Sequence, residues 1–83
     1  MTTRPLRTLN VGDSVTIDTI TATGELGRRI RDMGLIPGCP LTVVGRAPLR
    51  DPVALRLRDT TLALRNQEAD YITVREIMVG KEI

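Results

Sequence analysis

One stretch constrains this chain more than any other: Gly24-Glu25-Leu26-Gly27-Arg28-Arg29-Ile30-Arg31-Asp32-Met33-Gly34-Leu35-Ile36-Pro37-Gly38. It reads as a short helix, a glycine stop and a tight turn that launches a strand. Leu26, Ile30 and Met33 recur at helical spacing and form one apolar face. Arg28, Arg29, Arg31 and Asp32 lie off it. Thr23 is placed to cap the first turn through its hydroxyl. Glu25 suits the positive end of the helix dipole and precedes Arg29 by four residues, the favoured order for an ion pair. Gly34 fits the position after the helix where φ > 0 is wanted. Ile36-Pro37-Gly38-Cys39 matches a type II turn, with Pro37 presetting φ and Gly38 supplying a positive one.

The rest of the chain alternates like β structure. Strands are expected at 14–20, 41–47, 53–58, 61–65 and 71–75. Val15 and Ile17 share one side of the first strand and Thr16 and Asp18 the other; Leu41, Val43 and Gly45 share one face of the second and Thr42, Val44 and Arg46 the other; Val53 with Leu55 and Leu57, Leu62 with Leu64, and Ile72 with Val74 face inward. Leu6, Leu9 and Val11 precede the first strand as apolar residues placed to tuck against the core. Asp59-Thr60 is expected as a tight hairpin connection, and 66–70 as a single 3₁₀ turn. Pro48 and Pro52 stiffen the 47–52 connection, because neither donates to a ladder. The fold class expected is mainly β: a small SH3-like five-stranded barrel with one short α-helix between the first two strands. No repeat or second domain is visible in 1–83.

At 83 residues with a single aromatic, Tyr71, the core must be aliphatic. Burying each Leu, Ile, Val or Met gains about 1.5–3 kcal/mol before entropy is subtracted, enough for one small domain. Net charge is +2, and every basic residue except Lys81 is arginine. That suits planar pairing with carboxylates at an interface better than a nucleic-acid tail. The N-terminus has no apolar stretch like a signal peptide, and no run approaches membrane-spanning length. With Cys39 as the only cysteine no internal disulfide forms, so a cytoplasmic location is expected.

The chain has no histidine, the commonest general base and metal ligand. Ser14 and Cys39 have no activating neighbour in sequence, so no enzyme is expected. No ligand spacing marks a metal site. Cys39 with Asp32, Asp51, Glu68 or Asp70 remains a donor set for a divalent ion, and the metal ligands are left unassigned. Arg28, Arg29 and Arg31 on the helix, and Arg56 with Arg58 on one strand face, are of a type that meets phosphate. Single-strand binding also wants aromatic platforms, which one tyrosine does not supply. The same lack removes an SH3-type groove for proline-rich peptides.

Three stretches resemble one family. Arg28 to Gly38 is similar to an Arg-Leu-x-x-Met-Gly-φ-x-Pro-Gly helix-and-turn motif. Ala47-Pro48-Leu49-Arg50-Asp51-Pro52 resembles an Ala-Pro-Leu-Gly-Asp-Pro loop. Leu64-Arg65-Asn66-Gln67-Glu68-Ala69-Asp70-Tyr71-Ile72-Thr73-Val74 resembles a Leu-Arg-x-x-Glu-Ala-x-x-Ile-x-Val ending. Together they resemble the FeoA family over about residues 7–75, leaving 76–83 as a tail. The resemblance implies an SH3-like barrel acting as a cytoplasmic accessory of ferrous-iron uptake. It would dock on the cytosolic domain of a FeoB-type transporter and promote its activity, touching the membrane only through that partner. No cofactor is required on this reading. Weak Fe(II) or Zn(II) at surface carboxylates and a homo-oligomer stay open, and nucleic acid is not expected as a partner. The alternatives are a divalent-metal sensor or carrier and, third, an RNA-binding barrel. Candidate partner-binding residues are Arg28, Arg29, Arg31, Ala47, Pro48, Leu49, Arg50 and Asp51. Leu26, Ile30, Met33, Gly34, Pro37 and Gly38 form the structural motif. Two departures stand out: Arg50 where the family loop has glycine, and Ile30 where the helix has leucine.

Overall fold

A computed structural model describes residues 3–76. The elements in order are β1 (Thr3–Pro5), a 3₁₀ turn (Leu6–Thr8), β2 (Ser14–Ile20), α1 (Gly24–Asp32), β3 (Pro40–Arg46), β4 (Val53–Arg56), β5 (Thr61–Leu64), α2 (Asn66–Ala69) and β6 (Ile72–Glu76). They form one antiparallel sheet of 6 strands in the order β1-β6-β2-β3-β4-β5. The mainly β barrel and its helix after the first long strand stand as expected. The strand count does not, because β1 pairs with β6 through only Thr3, Arg4 and Pro5. Three residues including a proline carry no alternation to read.

The inward set matches the alternation. Val15, Ile17, Val43, Val53, Leu55, Leu64, Ile72 and Val74 are wholly buried, and Leu6, Leu9, Ile30 and Leu35 join them. Leu57 and Leu62 are half-buried against this core. Val11 departs from expectation and stands 59% exposed. The turn at 11–12 commits its neighbours' backbone instead, with Gly12 N–H donating to the Val43 carbonyl at 2.8 Å. The β4–β5 turn also centres one residue earlier than expected, on Arg58-Asp59, closed by Leu57 N–H donating to the Thr60 carbonyl at 2.8 Å. Residues 66–69 form an α turn and not a 3₁₀ one: Ala69 and Asp70 N–H donate to the Arg65 and Asn66 carbonyls, both at 2.9 Å.

Two bulges reset the faces. In β3, Val43 pairs with Leu55 and Gly45 with Ala54, so Val44 is the extra residue. Beyond it Arg46 lies opposite the buried Val53, turning its side chain inward where simple alternation would send it out. Gly45 is moved to the outer face by the same step. In β2, Asp18 is the extra residue, which brings Ile20 opposite Ile72 and against the core.

α1 ends in a full Schellman arrangement. Gly34 N–H donates to the Arg31 carbonyl at 2.9 Å and Leu35 N–H to the Ile30 carbonyl at 3.3 Å, with Gly34 at φ 95°. Ile30 and Leu35, the apolar pair of that motif, are both fully buried. The type II turn follows as expected: Gly38 has φ 90° and Cys39 N–H reaches the Ile36 carbonyl at 3.0 Å. At the other end, Thr23 occupies the cap position without a side-chain hydrogen bond. Leu26 and Met33 are half-buried, so Ile30 carries most of the helix's burial. The tail past Glu76 lies outside the described residues.

Candidate interaction surface

The helix arginines divide into two tethered residues and one without an ionic partner among the described residues. Arg28 bonds Glu25 at 3.3 Å, one turn away, in place of the expected Glu25–Arg29 pair. Both of these side chains are well exposed, so the pair contributes little to stability. Arg29 reaches instead to Glu68 of α2 at 3.0 Å, where the carboxylate is 12% exposed. Glu68 also accepts the Arg65 N–H at 3.0 Å, closing the start of α2. Arg31 is exposed and takes no part in a salt bridge among the described residues.

The 47–52 loop is held from beneath by Arg46. Its guanidinium donates to the Leu9 carbonyl at 2.8 and 3.1 Å, to the Arg7 carbonyl at 2.8 Å and to the Arg50 carbonyl at 2.8 Å. Burial, and then the nearby Arg50 and Arg7 charges, lower the Arg46 pKa from the usual arginine value, with Asp51 opposing. An arginine so placed stays protonated at neutral pH. Within the loop, Arg50 N–H donates to the Ala47 carbonyl at 2.7 Å and Ala47 N–H to the Pro52 carbonyl at 3.1 Å. Arg50 adopts φ 65°, the left-handed conformation that the family's glycine would take without strain. Its guanidinium donates to the Asn10 side-chain Oδ1 at 3.3 Å. Leu49, at the tip, is 90% exposed.

α2 joins the two candidate regions. Asp51 accepts the Asn66 N–H at 2.9 Å, and the Asn66 amide donates to the Arg50 carbonyl at 3.0 Å. A chain of polar contacts therefore runs from Arg29 through Glu68 and the α2 backbone to Asp51 and Arg50. Neither Asn66, Glu68 nor Arg46 was singled out for this role from the sequence. The one available signal was the Arg65-x-x-Glu68 spacing, where a glutamate sits three residues into a helical turn. Asp51 serves as an intramolecular clamp as well as a loop residue, and Ala47 is half-buried, so Pro48, Leu49 and Arg50 carry the loop's outward face.

The nucleophile candidates are occupied by structural bonds. Ser14 Oγ shares a hydrogen bond with Thr42 Oγ1 at 2.8 Å, and Cys39 Sγ approaches the Pro40 carbonyl at 3.5 Å. Among the described residues no three His, Cys, Asp or Glu side chains gather into a metal-holding group, so Cys39, Asp32, Asp51, Glu68 and Asp70 are not brought together. Among the described residues no helix is long and apolar enough to cross a membrane.

Fold and surface define a small SH3-like barrel domain whose one long helix fills the connection between two strands. Residues 4–76 match the FeoA domain, and the chain belongs to the FeoA family. A Porphyromonas gingivalis (strain ATCC BAA-308 / W83) protein, a fusion of Fe(2+) transport protein A with the Fe(2+) transporter FeoB, is 40% identical over 72 residues. The match takes in 87% of this chain and 8% of the fusion, so the chain spans under a tenth of that relative. The FeoA-like protein of Clostridium acetobutylicum superposes with a TM-score of 0.85 at 33% identity, covering 100% of this chain and 98% of its own. Stenotrophomonas maltophilia FeoA, solved with zinc and described as a prokaryotic SH3 domain protein, superposes with a TM-score of 0.73 at 25% identity, covering 90% and 91%. The family is thereby linked to ferrous-iron transport.

Proposed function

We propose that this chain is a cytoplasmic accessory of ferrous-iron uptake that docks on the cytosolic part of a FeoB-type transporter and promotes its activity. The observation that carries the reading is the Porphyromonas gingivalis fusion, in which a domain 40% identical to this one shares a polypeptide with the transporter. Covalent linkage raises the local concentration of one module beside another, which favours modules that touch.

The docking residues proposed are the exposed Arg28 and Arg31 of α1 and, on the 47–52 loop, Pro48, Leu49 and Arg50. The loop is already ordered. The loop is fixed by Arg46, Asp51 and Asn66, so little freedom is lost on binding. The exposed guanidiniums suit a partner surface rich in carboxylates. Arg29 contributes less, because Glu68 holds it.

The test is calorimetric titration of a FeoB-type cytosolic domain with the wild type and with the double variant Arg28→Glu, Arg31→Glu. Both positions are exposed, so the variant keeps its fold. Affinity is expected to fall about tenfold or more, with most of the loss in the association rate at low salt. Undiminished affinity would remove α1 from the interface.

A further inference from the structure

The outer face of the sheet carries a polar row that docking does not use. Pairing across the strands sets Ser14 of β2 opposite Thr42 of β3, and Thr42 opposite Arg56 of β4. Neighbouring strands lie about 4.8 Å apart, so the three side chains stand side by side. They share the face opposite the buried Val15, Val43 and Leu55. Ser14 Oγ and Thr42 Oγ1 meet at 2.8 Å. With Arg58, just past the end of β4, the row lines a cleft of about 170 Å³, completed by Pro40, Leu41 and Leu57. The cleft differs from ordinary solvated surface in two ways. Neither Arg56 nor Arg58 has an ionic partner among the described residues, whereas Arg4, Arg7, Arg28, Arg29 and Arg75 each have one. Two like charges therefore share a small space, and no carboxylate lines it among the described residues. Asp13, beside Ser14, is turned to Arg4 at 3.4 Å and to the Asn10 N–H at 2.8 Å. The hydroxyl pair, for its part, spends one hydrogen on its internal bond and keeps the other as a donor.

We propose that the cleft formed by Ser14, Thr42, Arg56 and Arg58 binds a phosphate group, as the free ion or as a monoester. Charge selects this class. A phosphate monoester carries a charge of about −1.5 to −2 at neutral pH and three acceptor oxygens. Two guanidiniums offset that charge, whereas the single charge of a carboxylate would leave one of them uncompensated. Each guanidinium presents a planar fork that meets phosphate oxygens in pairs, and the spare hydroxyl hydrogen serves a further oxygen. Size agrees. The cleft is close to the about 150 Å³ that holds a benzene-sized group, so one phosphate fills it and anything esterified to that phosphate lies outside. Ser14, Arg56 and Arg58 are all exposed, which leaves the ester carbon a way out to solvent. None of the residues proposed to meet the transporter lines the cleft, so the two sites are separate.

The test is an amide-shift NMR titration of the full chain with inorganic phosphate, at constant ionic strength and about pH 7.5, where the dianion predominates. Sodium acetate is the singly charged control, and glycerol 3-phosphate is the monoester arm. Inorganic phosphate or glycerol 3-phosphate is expected to give saturable shifts at Ser14, Thr42, Arg56 and Arg58, with a Kd of about 1 mM. Acetate is expected to give none that saturate. Arg56→Gln and Arg58→Gln are each expected to weaken binding about tenfold, and both positions are exposed, so the fold is kept. Thr42→Val, which keeps the shape and removes the hydroxyl pair, is expected to weaken it severalfold. Tighter binding of glycerol 3-phosphate assigns the site to an ester, and tighter binding of inorganic phosphate assigns it to the free ion. Saturation by neither, an equal response to acetate, or full affinity in Arg56→Gln overturns the proposal. The docking reading does not depend on this cleft and survives any of these results.

Discussion

Gly27 sits inside α1, where helix propensity and packing pull in opposite directions. On propensity alone, Gly27→Ala stabilises a helix interior by about 0.5–1 kcal/mol. The structure forbids that gain. A Cβ built on Gly27 lies 2.6 Å from the Ala22 carbonyl oxygen and 3.1 Å from its carbon. Even favourable carbon–oxygen contacts sit near 3.3 Å, so one backbone must move by about 0.7 Å. Neither is free to do so. Ala22 is buried, and the preceding residue is tied to β6's approach by Thr21 N–H donating to the Tyr71 carbonyl at 2.8 Å. α1 is held by the buried Ile30. Overpacking of this kind costs about 1–3 kcal/mol, which outweighs the propensity gain. The net expectation is a loss of about 1–2 kcal/mol, or a fall in Tm of about 5–15 °C for a domain this size. Thermal melts by far-UV circular dichroism measure it without needing tryptophan. A Tm that rises by several degrees would show that α1 does not cross the 20–23 segment as closely as described.

The other predictions concern the loop and its clamp. Arg46→Met removes the donor shared by the Leu9, Arg7 and Arg50 carbonyls; stability is expected to fall by about 2–3 kcal/mol in urea titrations, and an unchanged midpoint would refute the inward arginine. Arg50→Gly relieves the left-handed backbone at the cost of one long hydrogen bond to Asn10, so its Tm is expected to hold or rise by a few degrees, whereas a clear fall would contradict the strain argument. Glu68→Ala leaves the Arg65 N–H and Arg29 without their acceptor; amide exchange is expected to quicken across α2 and the 47–52 loop together, while protection unchanged in the loop would deny that α2 couples the two regions.

The helix and its exit were legible residue by residue. Spacing placed Ile30 inward, and Gly34, Pro37 and Gly38 announced a Schellman end and a type II turn because only a few residues tolerate those backbone angles. The inward faces of β2 and β4 followed from alternation. The bulges at Asp18 and Val44 did not, since a period of two contains no mark for an inserted residue. That single insertion at Val44 hid the most connected side chain of the candidate surface, Arg46, because simple alternation puts it on the face opposite Leu41 and Val43. Arg50 was legible as a departure from a glycine position, and it does take a positive φ. The chain from Arg29 through Glu68 to Asp51 joins residues far apart in sequence. Local pattern carries no information about such pairing, so α1 and the loop were chosen separately for exposure and stiffness, without the short helix that couples them.

The central claim, that this FeoA-family domain meets a FeoB-type transporter through exposed arginines of α1 and the ordered 47–52 loop, is tested most directly by an amide-shift NMR titration with the transporter's isolated cytosolic domain, run with and without Fe(II). The account predicts saturable shifts concentrated on Arg28, Arg31 and Leu49–Arg50, present in both arms. Saturating shifts with iron alone, and none with the cytosolic domain, would contradict it and favour a metal carrier instead.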